Sequence, residues 1–154
     1  MDKCCKIAAL YVATLRAVSI IHQNNHWTTK GSDFYGDHLL FERLYDSASE
    51  NIDSAAEKFI GLFGTQCLDY NLHTHFLNKV LERYKNFKGY PEEKSLAIEK
   101  DFLKFSKEAY NCFEDSDEMT LGLDDVLCAI ASKREESVYL LQQTLNTSDI
   151  ISIK

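Results

Sequence analysis

The sequence is poor in the two residues that most often interrupt helices. Its 154 residues include one proline and six glycines, so little of the chain can be given to tight turns or to flexible linkers. A chain of this length can bury one sizeable core, and we expect 1–154 to fold as a single domain. The scarcity of turn residues favours long helices.

The chain also lacks a basic excess, a paired cysteine motif and a long apolar run. No run approaches the roughly 18 apolar residues of a membrane span, and the N-terminus lacks the basic-then-apolar pattern of a signal peptide, so we expect no membrane partner. The 24 acidic residues outnumber the 17 basic ones, which is unfavourable for binding nucleic-acid phosphates. The five cysteines form no CxxC pair and are odd in number. We therefore expect ordinary thiols, with Cys112 and Cys128 buried, in a reducing cytoplasm.

Apolar residues recur every three or four positions in four long segments, which is the spacing of an amphipathic helix. The expected helices span about 5–27, 34–63, 92–114 and 121–146. Gly64 is a stop for the second helix and Pro91 a start for the third. The segment 65–90 between them is long enough to cross the bundle and to carry a shorter helix. No segment alternates as a strand does, so the fold class is all-α, a four-helix bundle with a long crossover.

The second helix carries a polar stripe beside its apolar one. Its members follow at spacings of four, four, three, four and four: His38, Glu42, Asp46, Ser49, Asp53 and Glu57. A solvated face is the common meaning of such a stripe. Here a histidine begins a row of four carboxylates, and His26 is expected at the same height across the preceding turn. Imidazoles and carboxylates together also fit a site for iron, zinc or manganese.

The stripe is too long for one subunit to close such a site. His38 and Glu57 lie nineteen positions apart, or roughly 28 Å along a helix. Two copies of the second helix crossing antiparallel about a two-fold axis would bring His38 and Glu42 of one chain opposite Glu57 and Asp53 of the other. The crossing is expected near residues 47–49, whose small side chains allow close approach. The chain is therefore expected to form a homo-oligomer built on two-fold dimers.

Residues 25–64 resemble the signature of the Dps family, a branch of the ferritin-like proteins. The matching positions keep their spacing: Asn25, His26, Trp27, Gly31, Phe34, His38, Phe41, Glu42, Leu44, Tyr45, Asp46, Asp53, Ala56, Glu57 and Gly64. Residues 65–118 match only in helical pattern, and Lys58 stands where the family commonly has arginine. The resemblance implies a ferritin-like four-helix bundle with a short helix in its crossover.

The resemblance also implies a function. The chain would be a ferroxidase that oxidises ferrous iron with hydrogen peroxide or oxygen and stores ferric mineral inside a dodecameric shell. The metal ligands would be His26, His38, Glu42 and Asp46 of one subunit with Asp53 and Glu57 of its neighbour, and the catalytic set His26, His38, Asp53 and Glu57. Trp27 is expected to pack against the second helix, and it is a candidate sink for stray oxidising equivalents.

Classical ferritins instead place iron inside one bundle, using Glu-x-x-His pairs on facing helices. No glutamate in this sequence is followed three places on by a histidine. The apolar stripes of the third and fourth long helices show no carboxylate at an interior position. An intrasubunit di-iron centre is therefore not expected.

Two other functions stay open at this point. Some Dps proteins compact DNA through lysine-rich tails that contact phosphates. Here only Lys3, Lys6 and Lys154 lie near the termini, so we expect no DNA binding. A non-catalytic helical oligomer, or one that holds zinc, would use the same polar stripe as a dimer seam.

Overall fold

The computed structural model describes residues 1–145, and all regular structure in that range is helical. In chain order the elements are α1 (Lys3–Thr28), α2 (Phe34–Phe63), a 3-10 helix (Thr65–Leu68), α3 (Tyr70–Glu82), α4 (Pro91–Asp115) and α5 (Leu121–Thr144). In the bundle, α1 packs on α2 and α4, α5 packs on the same two helices, and α3 lies against α1 in the crossover. The predicted all-α, ferritin-like four-helix bundle is confirmed. Residue 146, the expected end of the last helix, lies outside the described residues.

Local sequence explains where the helices begin and end. Pro91 is the first residue of α4, where its missing N–H costs no hydrogen bond, and Glu92 and Glu93 lie at the positive end of the helix dipole. The Asp69 carboxylate accepts hydrogen bonds from two backbone N–H groups in the first turn of α3. Gly64 ends α2 with a φ of 91°, a backbone conformation that side chains with a Cβ rarely adopt.

Helix α1 contains a long apolar window. Its 26 residues include a window of mean hydropathy 1.7, long and apolar enough to cross a membrane, so the expectation that no segment approaches that composition is wrong. Among the described residues it alone passes this test, and 67% of the window is buried inside the bundle. Because α2, α3 and α4 all pack on it, its place as a core helix accounts for its composition.

The hydrophobic core consists of two apolar clusters rather than one. The larger surrounds Tyr11, and the smaller is built around Phe41. Along α5, Ile130 belongs to the larger cluster and Val138 to the smaller. Arg134 lies between them and is fully buried. The apolar core is thus interrupted by a polar layer.

Side chains from all four bundle helices form this polar layer. Glu99 Oε1 accepts from His22 Nε2 at 2.7 Å and from Arg134 Nη1 at 3.0 Å, and all three residues are 0% exposed. Arg134 Nη2 donates to Ser47 Oγ at 2.6 Å, and His22 Nδ1 lies 2.8 Å from Ser95 Oγ. The expectation that the third and fourth long helices carry no interior carboxylate is therefore wrong. Glu99 can be interior because the guanidinium of Arg134 balances its charge.

Two of the cysteines are joined in a disulfide. Cys5 on α1 and Cys67 in the 3-10 helix are bonded, with Cα atoms 4.9 Å apart, which corrects the prediction of five ordinary thiols. Cys112 is a buried thiol as predicted, whereas Cys128 is exposed, so the prediction of its burial is wrong. The end of α2 returns the chain to the start of α1, a proximity that cysteine spacing does not reveal. The disulfide also removes reduced thiols as an argument for a cytoplasmic location.

Candidate metal site at the first helix turn

His26 on α1 and His38 on α2 face each other across the turn that joins the two helices. Their rings are stacked, with centroids 3.7 Å apart and planes 17° apart. Each residue stands six positions from residue 32, so the chain reversal sets both at one height. The sequence-based expectation that the two histidines lie at the same height is confirmed.

Hydrogen bonds fix the orientation of both imidazoles. His26 Nδ1 donates to the carbonyl oxygen of His38 at 2.7 Å, and His38 Nδ1 donates to the carbonyl oxygen of His26 at 2.8 Å. A carbonyl oxygen can only accept, so each Nδ1 carries a proton, and in the neutral ring Nε2 keeps a free lone pair. Carbonyl groups impose the same tautomer on histidines that bind metals. Both rings therefore present Nε2 as a potential metal ligand.

Two aromatic side chains enclose the histidine pair. Phe34 stacks on His38 with centroids 4.9 Å apart, and Tyr45 meets His26 edge-on at 5.3 Å. The result is a column of four rings in the order Phe34, His38, His26, Tyr45. Turning either imidazole would break ring contacts and a hydrogen bond to the backbone, so the column holds the two Nε2 atoms in place.

The carboxylates of the polar stripe lie on the exposed side of α2. Glu42, Asp46, Asp53 and Glu57 are all exposed. Desolvation, followed by the negative charges of Glu42 and Asp46, raises the pKa of the Tyr45 phenol. These two carboxylates therefore belong to the end of the stripe beside the histidine column, whereas Asp53 and Glu57 continue along the helix away from it.

One chain does not assemble the whole predicted ligand set. Among residues 1–145, no three His, Cys, Asp or Glu side chains form a group able to hold a metal ion. The fold brings His26 and His38 together, whereas Asp53 and Glu57 lie closer to the C-terminal end of α2. The assignment of the complete set across two subunits stays a prediction.

The small residues expected at a helix crossing differ in exposure from what the sequence suggested. Ala48 is 0% exposed and Ser47 accepts a hydrogen bond from Arg134, so both residues pack within their own bundle. Of the three small residues expected at a helix crossing, only Ser49 is exposed.

Trp27 is 67% exposed, so its predicted packing against the second helix is wrong. Its neighbour His26 occupies the side of α1 that faces α2.

Sequence reasoning missed the buried polar layer, although its signal was present. Arg134 follows Ile130 by four positions and precedes Val138 by four. That spacing places the guanidinium in the apolar stripe of α5. In the buried polar layer, His22 supplies one imidazole and Glu99 one carboxylate. The guanidinium of Arg134 supplies the positive charge that balances Glu99.

The helix order and the long crossover with its short helix define a ferritin-like four-helix bundle. No family model matches the chain. It is 30% identical to general stress protein 20U of Bacillus subtilis over 139 residues, which cover 87% of this chain and 91% of that protein.

Solved Dps structures share the fold at lower sequence identity. Dps from Thermosynechococcus elongatus superposes with a TM-score of 0.78 at 17% identity, covering 97% of this chain and 95% of that one. Dps from Microbacterium arborescens in its high iron form gives 0.74 at 18% identity, covering 94% and 93%. The chain belongs to the Dps family of ferritin-like proteins.

Proposed function

We propose that this protein is a ferroxidase and iron-storage protein whose metal site lies between two subunits. The observation that carries the proposal is the locked pair of His26 and His38, whose Nε2 atoms are free for metal beside an exposed row of carboxylates. A polar helix face exposed to solvent would account for the carboxylates. It would not account for two imidazoles fixed in the tautomer that metal binding requires.

The second half of the site would come from a partner subunit. His38 and Glu57 are separated by roughly 28 Å along α2, and the intervening carboxylates are exposed. An antiparallel copy of α2 would set its Asp53 and Glu57 against His38 and Glu42. Two-fold symmetry would then make two equivalent sites in each dimer. We propose a dodecameric shell of such dimers.

The donor set fits ferrous iron as the substrate. Imidazole nitrogen and carboxylate oxygen together suit Fe(II), although the same donors also hold zinc. Two neighbouring ferrous ions can give one electron each to a single hydrogen peroxide, which with two protons becomes two water molecules. Paired oxidation of this kind avoids releasing hydroxyl radical, and the ferric product would be deposited as mineral in the cavity.

Anaerobic Fe(II) loading followed by peroxide tests the proposal. We expect rapid loss of Fe(II) with a rise in ferric absorbance in the wild-type protein. His38→Ala and Asp53→Ala should slow Fe(II) oxidation to the rate measured in protein-free buffer, while the oligomer survives in size-exclusion chromatography with light scattering. Glu50→Ala changes an exposed carboxylate on the same helix that is no part of the proposed site, and it should oxidise iron normally. Normal oxidation in both site variants would reject the assignment, and a monomeric wild type would reject the intersubunit site.

The same experiment decides the alternatives. With a zinc-holding or purely structural seam, the wild-type protein would not accelerate Fe(II) oxidation beyond the rate of peroxide with Fe(II) in protein-free buffer. DNA compaction is not part of the proposal, because Lys3 and Lys6 lie within the first turn of α1. Lys154, the other lysine considered for a tail, lies outside the described residues. The cytoplasmic location also stays a proposal.

A further inference from the structure

The polar layer is one continuous chain of hydrogen bonds that crosses all four bundle helices. Its members in order are Asn25, Ser95, His22, Glu99, Arg134 and Ser47. Asn25 Nδ2 donates to Ser95 Oγ at 2.8 Å and to the carbonyl oxygen of Pro91 at 2.9 Å. These hydrogen bonds therefore connect α1 to the start of α4, α4 to α5, and α5 to α2.

Both ends of this hydrogen-bond chain lie beside candidate ligands. Asn25 directly precedes His26, and Ser47 directly follows Asp46. The turn of α1 that carries one imidazole is thereby fixed to α4, and the turn of α2 that carries a candidate carboxylate is fixed to α5. The Glu99–Arg134 pair connects these two anchors through the middle of the bundle.

Stability does not account for the polar layer. Taking a carboxylate and a guanidinium out of water is costly, and apolar side chains of similar volume often serve as well or better. Among the described residues, Glu99 Oε2 and Arg134 Nε have no protein partner, which adds to the cost. What the polar layer supplies is direction, because hydrogen bonds require particular distances and angles, whereas apolar cores accept repacking.

We propose that His22, Glu99 and Arg134 are positioning residues for the iron site. The hydrogen-bond chain sets the register of α1 against α2 through α4 and α5, and so holds the Nε2 atoms of His26 and His38 where carboxylates can share their ion. A functional site must be held within about 0.5 Å by the residues that support it. The inference rests on the proposed function, since it concerns the same metal site.

Removing one hydroxyl near each end of the hydrogen-bond chain tests the inference with little risk to folding. Ser95→Ala removes the hydroxyl that joins Asn25 to His22, Ser47→Ala removes the hydroxyl that accepts from Arg134, and Ser106→Ala is the matched control. Ser106 is a buried serine on α4 whose partner, the Tyr11 hydroxyl at 3.4 Å, lies outside the chain. The probe is Co(II), titrated anaerobically into the assembled protein and followed by its visible absorption.

We expect the two link variants to assemble as the wild type does but to bind Co(II) about tenfold more weakly, the effect typical of lost outer-shell contacts. Their Co(II) absorption bands should also shift, because these bands report ligand geometry. Ser106→Ala should leave affinity and spectrum unchanged. Wild-type affinity and spectrum in both link variants would overturn the proposal.

A triple variant separates positioning from stability. His22→Leu, Glu99→Leu and Arg134→Met together remove the polar layer without leaving a buried charge unpaired. We expect unchanged or higher thermal stability with the same weakened Co(II) binding, and wild-type affinity in this folded variant would also overturn the proposal. If the His38→Ala variant binds Co(II) as tightly as the wild type does, the proposed function fails, and the positioning role fails with it.

Discussion

Replacing Cys5 by serine should lower the stability of the fold measurably. The Cys5–Cys67 disulfide joins residues separated by 62 positions. Closing a loop of that length restricts the unfolded chain enough to stabilise the native state by about 4 kcal/mol. For a domain of this size, each kcal/mol corresponds to a melting temperature change of roughly 2–4 °C, so Cys5→Ser should melt about 8–16 °C lower.

The assay is thermal unfolding followed by circular dichroism, with all proteins at the same subunit concentration because assembly itself adds stability. The control is Cys128→Ser, which removes an exposed thiol that is not disulfide-bonded. Thiol titration in denaturant should find the three free cysteines, Cys4, Cys112 and Cys128, in the oxidised wild type. Adding reductant should expose all five cysteines and lower the wild-type melting temperature to that of Cys5→Ser.

Two results would refute this reasoning. One is a wild-type protein that shows five titratable thiols without reductant, which would mean that the bond does not form in solution. The other is an oxidised wild type whose melting temperature matches that of Cys5→Ser. In that case the loop is already restricted in the unfolded chain, and the entropy argument does not apply.

Four further substitutions test separate parts of the fold. Arg134→Met alone leaves the Glu99 carboxylate buried without its cation and should cost about 3–5 kcal/mol in denaturant unfolding. Gly64→Ala forces a Cβ onto a backbone with φ 91° and should cost about 1–3 kcal/mol. Gly61→Ala, at an exposed helical position with open space around it, should instead gain about 0.5–1 kcal/mol. Desolvation raises the pKa of Glu92 above its ordinary value of about 4.5. The folded protein therefore holds the Glu92 proton more tightly than the unfolded chain does, and stability falls as pH rises from 4.5 through the folded-state pKa. Glu92→Gln should therefore be more stable than wild type at pH 7, and the difference should disappear in melting curves below pH 4.5.

The four long helices could be read from the sequence because their signals are local. The apolar spacing, Pro91 at the start of α4 and Gly64 at the end of α2 each act within a few residues of where they stand. The meeting of His26 and His38 was also predictable, because one short turn relates them. A pattern of this kind is set by helix geometry and needs no knowledge of distant contacts.

The proposed metal site shows the same division between local sequence information and distant contacts. Sequence spacing placed the histidines together and predicted that they lie too far from Asp53 and Glu57 of the same subunit to share one ion. Only the structure revealed which nitrogen of each ring is free, because that depends on carbonyl oxygens twelve residues away along the chain. The exposure of Trp27 likewise depends on which side of α1 faces α2.

By itself the sequence determined the class of fold, the number and limits of the long helices and the position of the paired imidazoles. The tertiary structure decided the Cys5–Cys67 bond and the pairing of His22, Glu99 and Arg134 in the core. These features join residues from distant parts of the chain, and a periodic pattern shows only which face of its own helix a residue occupies. The residue that a side chain contacts on the opposite helix depends on how the bundle packs. A buried charge and its counter-charge can therefore be paired only once the packing of the helices is known.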